Sequence, residues 1–195
     1  MAFGGFRGLR GGGVRIELDS EEATVLRSMA QLVLELVEAP EEQDELAAMV
    51  GIGSNSETPE DPVLARLLPD AYAKDGEEGA TAAAEFRRYT EDGLRQSKRA
   101  NAAAMLASIP ESGGQVELDA ETAQAWMKSL NDVRLILGTR LNVDEETLTQ
   151  REQDRQSRQG RRGGGGEDAE ATEAALNIYD WLSGMQDSLI RAIQD

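Results

Sequence analysis

The chain contains no cysteine and no histidine. Without cysteine there is no disulfide, no thiol redox switch and no thiolate nucleophile. Without histidine there is no imidazole base that titrates near neutral pH. Zinc sites of the usual Cys/His type are excluded by the two absences together. Aromatic residues make up only 4% of the chain and hydrophobic residues 39%, so a core must be mostly aliphatic and alanine-lined. No apolar run approaches the roughly 20 residues of a membrane-spanning helix. The N-terminus lacks the charged segment and apolar stretch of a secretory signal. The expectation is a cytoplasmic protein with no membrane contact.

What the chain has in quantity is acid. Asp and Glu outnumber Lys and Arg by 37 to 20, a formal charge of -17 over 195 residues. That length fits one domain, or one domain with appendages. That charge keeps a protein soluble, repels nucleic acid at long range and favours basic partners.

Periodicity predicts a mainly α protein: an orthogonal or antiparallel helical bundle with a small β-sheet. The sheet is expected from an N-terminal hairpin and a strand near 115–118. Residues 1–13 are glycine-rich, with 1–5 read as a flexible tail. Val14, Ile16 and Leu18 alternate with Arg15 and Glu17, a half-exposed strand. Phe3–Leu9 is its expected hairpin partner. Asp19 or Ser20 caps a helix that should run to about Glu38, and Asp19 with Glu22 has the spacing of a capping box. A short helix is expected near Glu42–Val50, and Asp61-Pro62 opens another. A long helix should span about Thr81–Ser108. Small residues (Gly93, Ser97, Ala100, Ala104) are expected on its buried side. Its other face carries Arg87, Arg88, Arg95, Lys98 and Arg99, a basic stripe in an acidic chain. Such a stripe is a candidate contact for nucleic acid or a partner, or a solvated face paired with Glu85, Glu91 and Asp92.

Trp126, Leu130, Val133, Leu137 and Leu141 recur at helical spacing, so the stretch Trp126–Leu141 is expected to be the central helix. Gly138 within it costs about 1 kcal/mol relative to Ala; it permits a close helix crossing or ends the helix early. Arg134 and Arg140 flank its apolar stripe, and a carboxylate such as Asp180 on the last helix is the expected partner for one of them. Residues 150–166 hold Arg151, Arg155, Arg158, Arg161 and Arg162 and end in four glycines. They read as a flexible loop inside a single helical domain spanning 1–195, and the loop is a second candidate contact for nucleic acid or a partner. About Glu167–Ile193 is a strongly amphipathic helix, with Trp181 and Leu182 on its apolar side, expected to dock on the Trp126 helix.

The chain also repeats itself. Glu17–Ala23 matches Glu117–Ala123 at an offset of 100, with five identities in seven positions. Both copies follow glycines and lead into long amphipathic helices. Two strand–cap–helix halves with their strands side by side explain the match. So does the common reuse of the same capping residues.

No catalytic constellation emerges. The clusters Glu41–Glu45 and Asp144–Glu146 lack the spacing of a calcium loop. Gly163–Gly166 is no phosphate loop, since no Lys-Ser/Thr follows it. Serine nucleophiles have no histidine base and no G-x-S-x-G context. A non-enzyme with no cofactor and no metal is the expectation.

Four pieces carry a family resemblance. They are the Gly/Phe-Arg start into an E-L-D-x-E-E-A helix; Asp61-Pro62 with Leu67-Leu68-Pro69-Asp70-Ala71-Tyr72; the run W-x3-L-N-D-V-R-L-I-L-G-T-R-L from Trp126, with Leu130, Leu137 and Gly138; and Tyr179-Asp180-Trp181-Leu182 with Gln186 and Leu189. In this order they resemble an actinobacterial family of unknown function whose members are named oxidative-stress transcriptional regulators, AosR. The resemblance implies a non-enzymatic cytoplasmic regulator that senses oxidants through a cysteine pair and promotes transcription with a stress sigma factor. It also implies a neighbourhood with a Clp protease adaptor. The cysteine pair has no counterpart in this chain. Three readings of function therefore stand: a regulator acting through protein–protein contacts, a direct DNA binder using the basic stripe or the Arg-rich loop, and an adaptor linked to Clp proteolysis.

Overall fold

The computed structural model describes residues 4–38, 57–71, 76–143 and 167–194, with the side chains of the last stretch described from 171. The expectations for residues 1–3, for the short helix at 42–50 and for the Arg-rich loop at 150–166 concern residues outside these. Among the described residues the protein is mainly α with one small sheet. Strands β1 (Arg7–Gly8), β2 (Val14–Leu18) and β3 (Gly114–Leu118) form an antiparallel sheet in the order β1-β2-β3. The helices are α1 (Ser20–Leu36), α2 (Pro62–Leu67), α3 (Gly76–Ser108), α4 (Ala120–Arg140) and α5 (Glu167–Gln194), of which α1, α4 and α5 touch the sheet.

The sheet is organised by the repeat. Strands β2 and β3 pair in the register Val14↔Leu118, Ile16↔Val116, Leu18↔Gly114. Positions one hundred apart therefore lie symmetrically about the Ile16–Val116 pair, as a local two-fold axis through that pair requires. The apolar residues of each strand (Val14, Ile16, Leu18; Val116, Leu118) point to one buried face, as period-two alternation dictates.

Each strand runs directly into a capped helix. Asp19 accepts a hydrogen bond from the Glu22 N–H, and the Glu22 carboxylate accepts one from the Asp19 N–H. Asp119 accepts from the Thr122 N–H, which holds its carboxyl below the ordinary range. Both caps have the same extended backbone, φ -77° and -71°. The helices then bury matching positions: Ala23 with Ala123, Leu26 with Trp126, Ala30 with Leu130, Val33 with Val133. Two glycines complete the symmetry. A Cβ on Gly13 would lie 2.5 Å from the Leu118 carbonyl oxygen, and one on Gly113 would lie 2.7 Å from that of Leu18. Both have positive φ, so only glycine lets the strands enter this close crossing without strain.

Trp126 is fully buried at the centre. Its indole N–H donates to Ser108 Oγ at 2.7 Å, and its ring meets Phe6 edge to face, 5.7 Å between centroids. Leu130, Leu182 and Leu189 are fully buried with it, and Leu137 and Trp181 pack on this core partly exposed. Arg27 of α1 donates to the carbonyls of Leu106 and Ile109, placing a cation where the α3 dipole is negative.

Two expectations are corrected and one open alternative is decided. Strand β1 covers only Arg7–Gly8 within the expected Phe3–Leu9. Helix α3 begins at Gly76, five residues earlier than Thr81, because Glu77 and Glu78 suit a first turn and the alanines after them favour helix over the cost of Gly79. Helix α4 runs through Gly138 to Arg140. A Cβ on Gly138 would meet Tyr179 at 3.6 Å, ordinary contact, so the crossing there does not demand glycine.

Candidate functional site

Helix α3 lies against α1 and α4 with its charged row turned inward. Ala83, Arg87, Glu91, Arg95, Ala102 and Met105 are buried, whereas Gly93, Ser97 and Ala100 are exposed. This reverses the expected orientation of the helix. The physical reason is that the row neutralises itself. Arg87 Nη1 donates to Glu91 Oε2 at 2.6 Å, and Arg95 Nε donates to Glu91 Oε1 at 2.9 Å. One carboxylate between two guanidinium groups, each four residues away, needs little water to satisfy it.

The remaining donors of the row tie down other parts of the chain. Arg87 Nη2 donates to Asp70 Oδ1 at 2.6 Å and to the Leu68 carbonyl at 2.9 Å. Arg95 Nη1 donates to the Glu38 carbonyl just past α1. Asp70 also accepts from the Thr58 hydroxyl. Burial alone would lower the Arg87 pKa; the hydrogen bonds and charges of Asp70 and Glu91 outweigh it and raise it. The cluster is thus a polar brace that joins the end of α1, the chain after α2, and α3.

A second brace joins α3 to α4. Lys98 Nζ donates to Asp132 Oδ1 at 2.6 Å, with side chains 13% and 4% exposed. Burial pushes the Asp132 carboxyl above its ordinary range, and the hydrogen bond and charge of Lys98 oppose that push without cancelling it. A third polar contact joins α4 to α5. Arg134 Nη1 donates to Gln186 Oε1, Gln186 Nε2 donates to the Met127 carbonyl, and the Arg134 guanidinium lies over the Tyr179 ring at 5.6 Å. Among the described residues these are the contacts of the Arg134 head group, an amide and a ring rather than a carboxylate. Arg140 is exposed at the end of α4, and Asp180 is half-buried beside Tyr179.

The basic stripe is therefore split. Arg87 and Arg95 are inside, Lys98 is mostly inside, and Arg88 and Arg99 are exposed. Arg99 approaches the exposed Glu38 carboxylate only at 3.7 Å. Sequence reasoning missed Asp70, Glu38 and Asp132 as the partners of these cations. The alternation Arg87-Glu91-Arg95 was the one signal available for them.

Among the described residues, no group of three or more carboxylates could hold a metal ion. Each buried carboxylate here faces a cation, which fits a structural role better than that of a proton-transfer group. No described helix is long and apolar enough to cross a membrane.

Comparison with known proteins bears on this site as a whole. A family model described as a domain of unknown function, DUF2017, matches residues 4–193. The oxidative stress regulator AosR of Mycobacterium tuberculosis (strain H37Rv) is 31% identical over 191 residues, covering 90% of this chain and 80% of that protein. The putative oxidative stress regulator AosR of Mycobacterium leprae is 30% identical over 185 residues, covering 88% and 78%. No solved structure matches the chain.

Proposed function

This chain belongs to the DUF2017 family of unknown function, and we propose that it is a non-enzymatic regulator that works through protein–protein contacts, with the transcription machinery and a stress sigma factor as its partner class. Its relatives are named oxidative stress regulators, which supports the regulatory role. The observation that carries the mode of action is the inward turn of Arg87, Arg95 and Lys98 onto Glu91, Asp70 and Asp132. Cations spent on internal carboxylates are not free for phosphates, and phosphate neutralisation supplies most non-specific DNA affinity. Among the described residues the exposed charges are mostly acidic, in a chain of charge -17, a surface suited to basic protein partners. With no cysteine, the regulation proceeds here without a thiol sensor.

The test sets protein against DNA. The purified chain is titrated into random duplex DNA at low salt, and separately used to capture transcription components from cells under oxidant stress. The expected result is no mobility shift, together with capture of a sigma factor that weakens as salt rises. A shift at low salt with no protein captured overturns the reading in favour of DNA. Recovery of Clp components alone moves it to proteolytic adaptation.

A further inference from the structure

Helix α3 keeps a second face outside. Tyr89 is 66% exposed, Phe86 41% and Leu94 37%, three of the four exposed large hydrophobic side chains of the described residues, within nine positions of one helix. Isolated apolar side chains on a surface need no explanation, but a cluster does. Ala82, Phe86, Tyr89 and Gly93 follow one another at steps of four, three and four, the spacing of a seam that receives another helix. Alongside that seam, Glu78, Glu85 and Asp92 recur every seven residues, all exposed. Between Gly76 and Leu94 the exposed charged side chains are these three, Glu77 and a single cation, Arg88.

The patch does not fit a small molecule. The dip between Phe86, Leu94 and Pro69 encloses only about 20 Å³, against several hundred for a typical ligand pocket. It does not fit a second copy either. Pairing this face with itself would set like carboxylates together in a chain already at -17, and like charges in register repel.

We propose that the outer face of α3, centred on Tyr89 and flanked by Glu78, Glu85 and Asp92, is the docking surface for an amphipathic helix of a partner protein, with apolar residues on the seam and Lys or Arg beside them. The proposal rests on the reading that the protein acts through protein contacts, and it fixes where and with what chemistry. The inward row and the outer face then divide one helix between two tasks. Arg87, Glu91 and Arg95 fasten α3 to the fold, and Tyr89 and the carboxylates meet the partner.

The test is site-specific photocrosslinking in the intact chain in cells. A benzoylphenylalanine replaces Tyr89, and the same probe replaces Lys128 and Glu121 on the exposed side of α4 as comparison positions. Crosslinked peptides are mapped by mass spectrometry, and thermal melting verifies that each variant is folded. At Tyr89 the expected product joins the probe to a Lys/Arg-flanked amphipathic helix. The double reversal Glu85→Lys/Asp92→Lys should lower its yield about tenfold, as expected for charges at an interface rim acting with an aromatic anchor. A crosslink to a second copy, to an acidic or non-helical segment, or one unmoved by the reversal overturns the proposal. Capture at Lys128 or Glu121 but not at Tyr89 overturns the face and leaves the protein-contact reading standing. Absence of capture at every position overturns both.

Discussion

The two halves of the repeat, β2 with α1 and β3 with α4, use the same backbone instructions for different interiors. Glycine, strand, Asp cap and the first turns of the apolar stripe coincide at an offset of 100. Farther along they part. Where α1 has Met29, Leu32 and Leu34, α4 has Ser129, Asp132 and Arg134. The three apolar residues pack at the edge of the core. Of their polar counterparts, Asp132 and Arg134 reach partners on α3 and α5. The difference teaches that the shared features set local geometry, and that the departures mark where a helix must recognise its neighbours. Polar contacts of this kind give orientation and register more reliably than they give stability.

The comparison is broken most severely at the symmetric glycines. Gly13→Ala and Gly113→Ala each force a left-handed backbone on a residue with a Cβ and drive that Cβ onto a carbonyl of the other half. The two penalties together amount to roughly 2–5 kcal/mol. Urea unfolding should register nearly equal losses for the two variants. A loss at one glycine only would mean that the two crossings are not equivalent.

The ion pair comes next. Lys98→Met strands the buried Asp132 carboxylate and should cost about 3 kcal/mol, whereas Lys98→Met with Asp132→Leu gives α4 the residue α1 already has and should recover most of that loss. The pH dependence has a definite sign. Asp132 is held above the ordinary carboxylate range by burial, so the folded chain holds this proton more tightly than the unfolded one. The group's contribution to stability therefore falls as pH rises from the ordinary carboxylate pKa through the raised one, and is regained on acidification. The difference in unfolding free energy between the native chain and Asp132→Asn, followed over that window, should show this slope. The opposite slope would mean that Lys98 outweighs the burial.

The caps test the halves at their point of closest likeness. Asp19→Ala removes one bond of a reciprocal pair and should cost about 1 kcal/mol. Asp119→Ala should cost about as much, since each variant loses one bond from the N–H three residues on, and the bond from the residue 19 N–H to Glu22 does not need the Asp19 side chain. Thermal melting of the two variants side by side measures the difference. A clearly larger loss for Asp19→Ala would mean that the Glu22 bond depends on the Asp19 side chain after all.

Much of this was legible in the sequence because it is local. Capping spacing, glycine before a strand and period-two alternation act within a few residues, and the Asp19 and Asp119 caps and both long strands follow from them. The five-in-seven match extended to a symmetric strand pairing because a short antiparallel pair has few registers that bury both apolar faces. The orientation of α3 was not legible. A row of alternating charges at steps of four stabilises a solvated helix face as well as it satisfies a buried one. The choice depends on Asp70, Glu38 and Asp132, which are far away in sequence. The partners of Arg134 were hidden for the same reason, since how far α5 slides along α4 decides between Asp180 and Gln186.

The smallest effect is expected at Ser129, and its sign carries the information. Its side chain is fully buried, and Oγ has no hydrogen-bond partner among the described residues. In the other half the equivalent residue is Met29, at the edge of the core. A hydroxyl sealed without a partner costs about 1–3 kcal/mol of desolvation, and removing its oxygen leaves a void smaller than a methyl group. Ser129→Ala should therefore leave stability unchanged or raise it by up to about 1 kcal/mol, a few degrees or less in melting temperature for a chain of this size. If instead the variant melts lower by several degrees, the hydroxyl is bonded in solution. Ser129 would then join Asp132 and Arg134 as a third polar residue through which α4, unlike α1, recognises what packs against it.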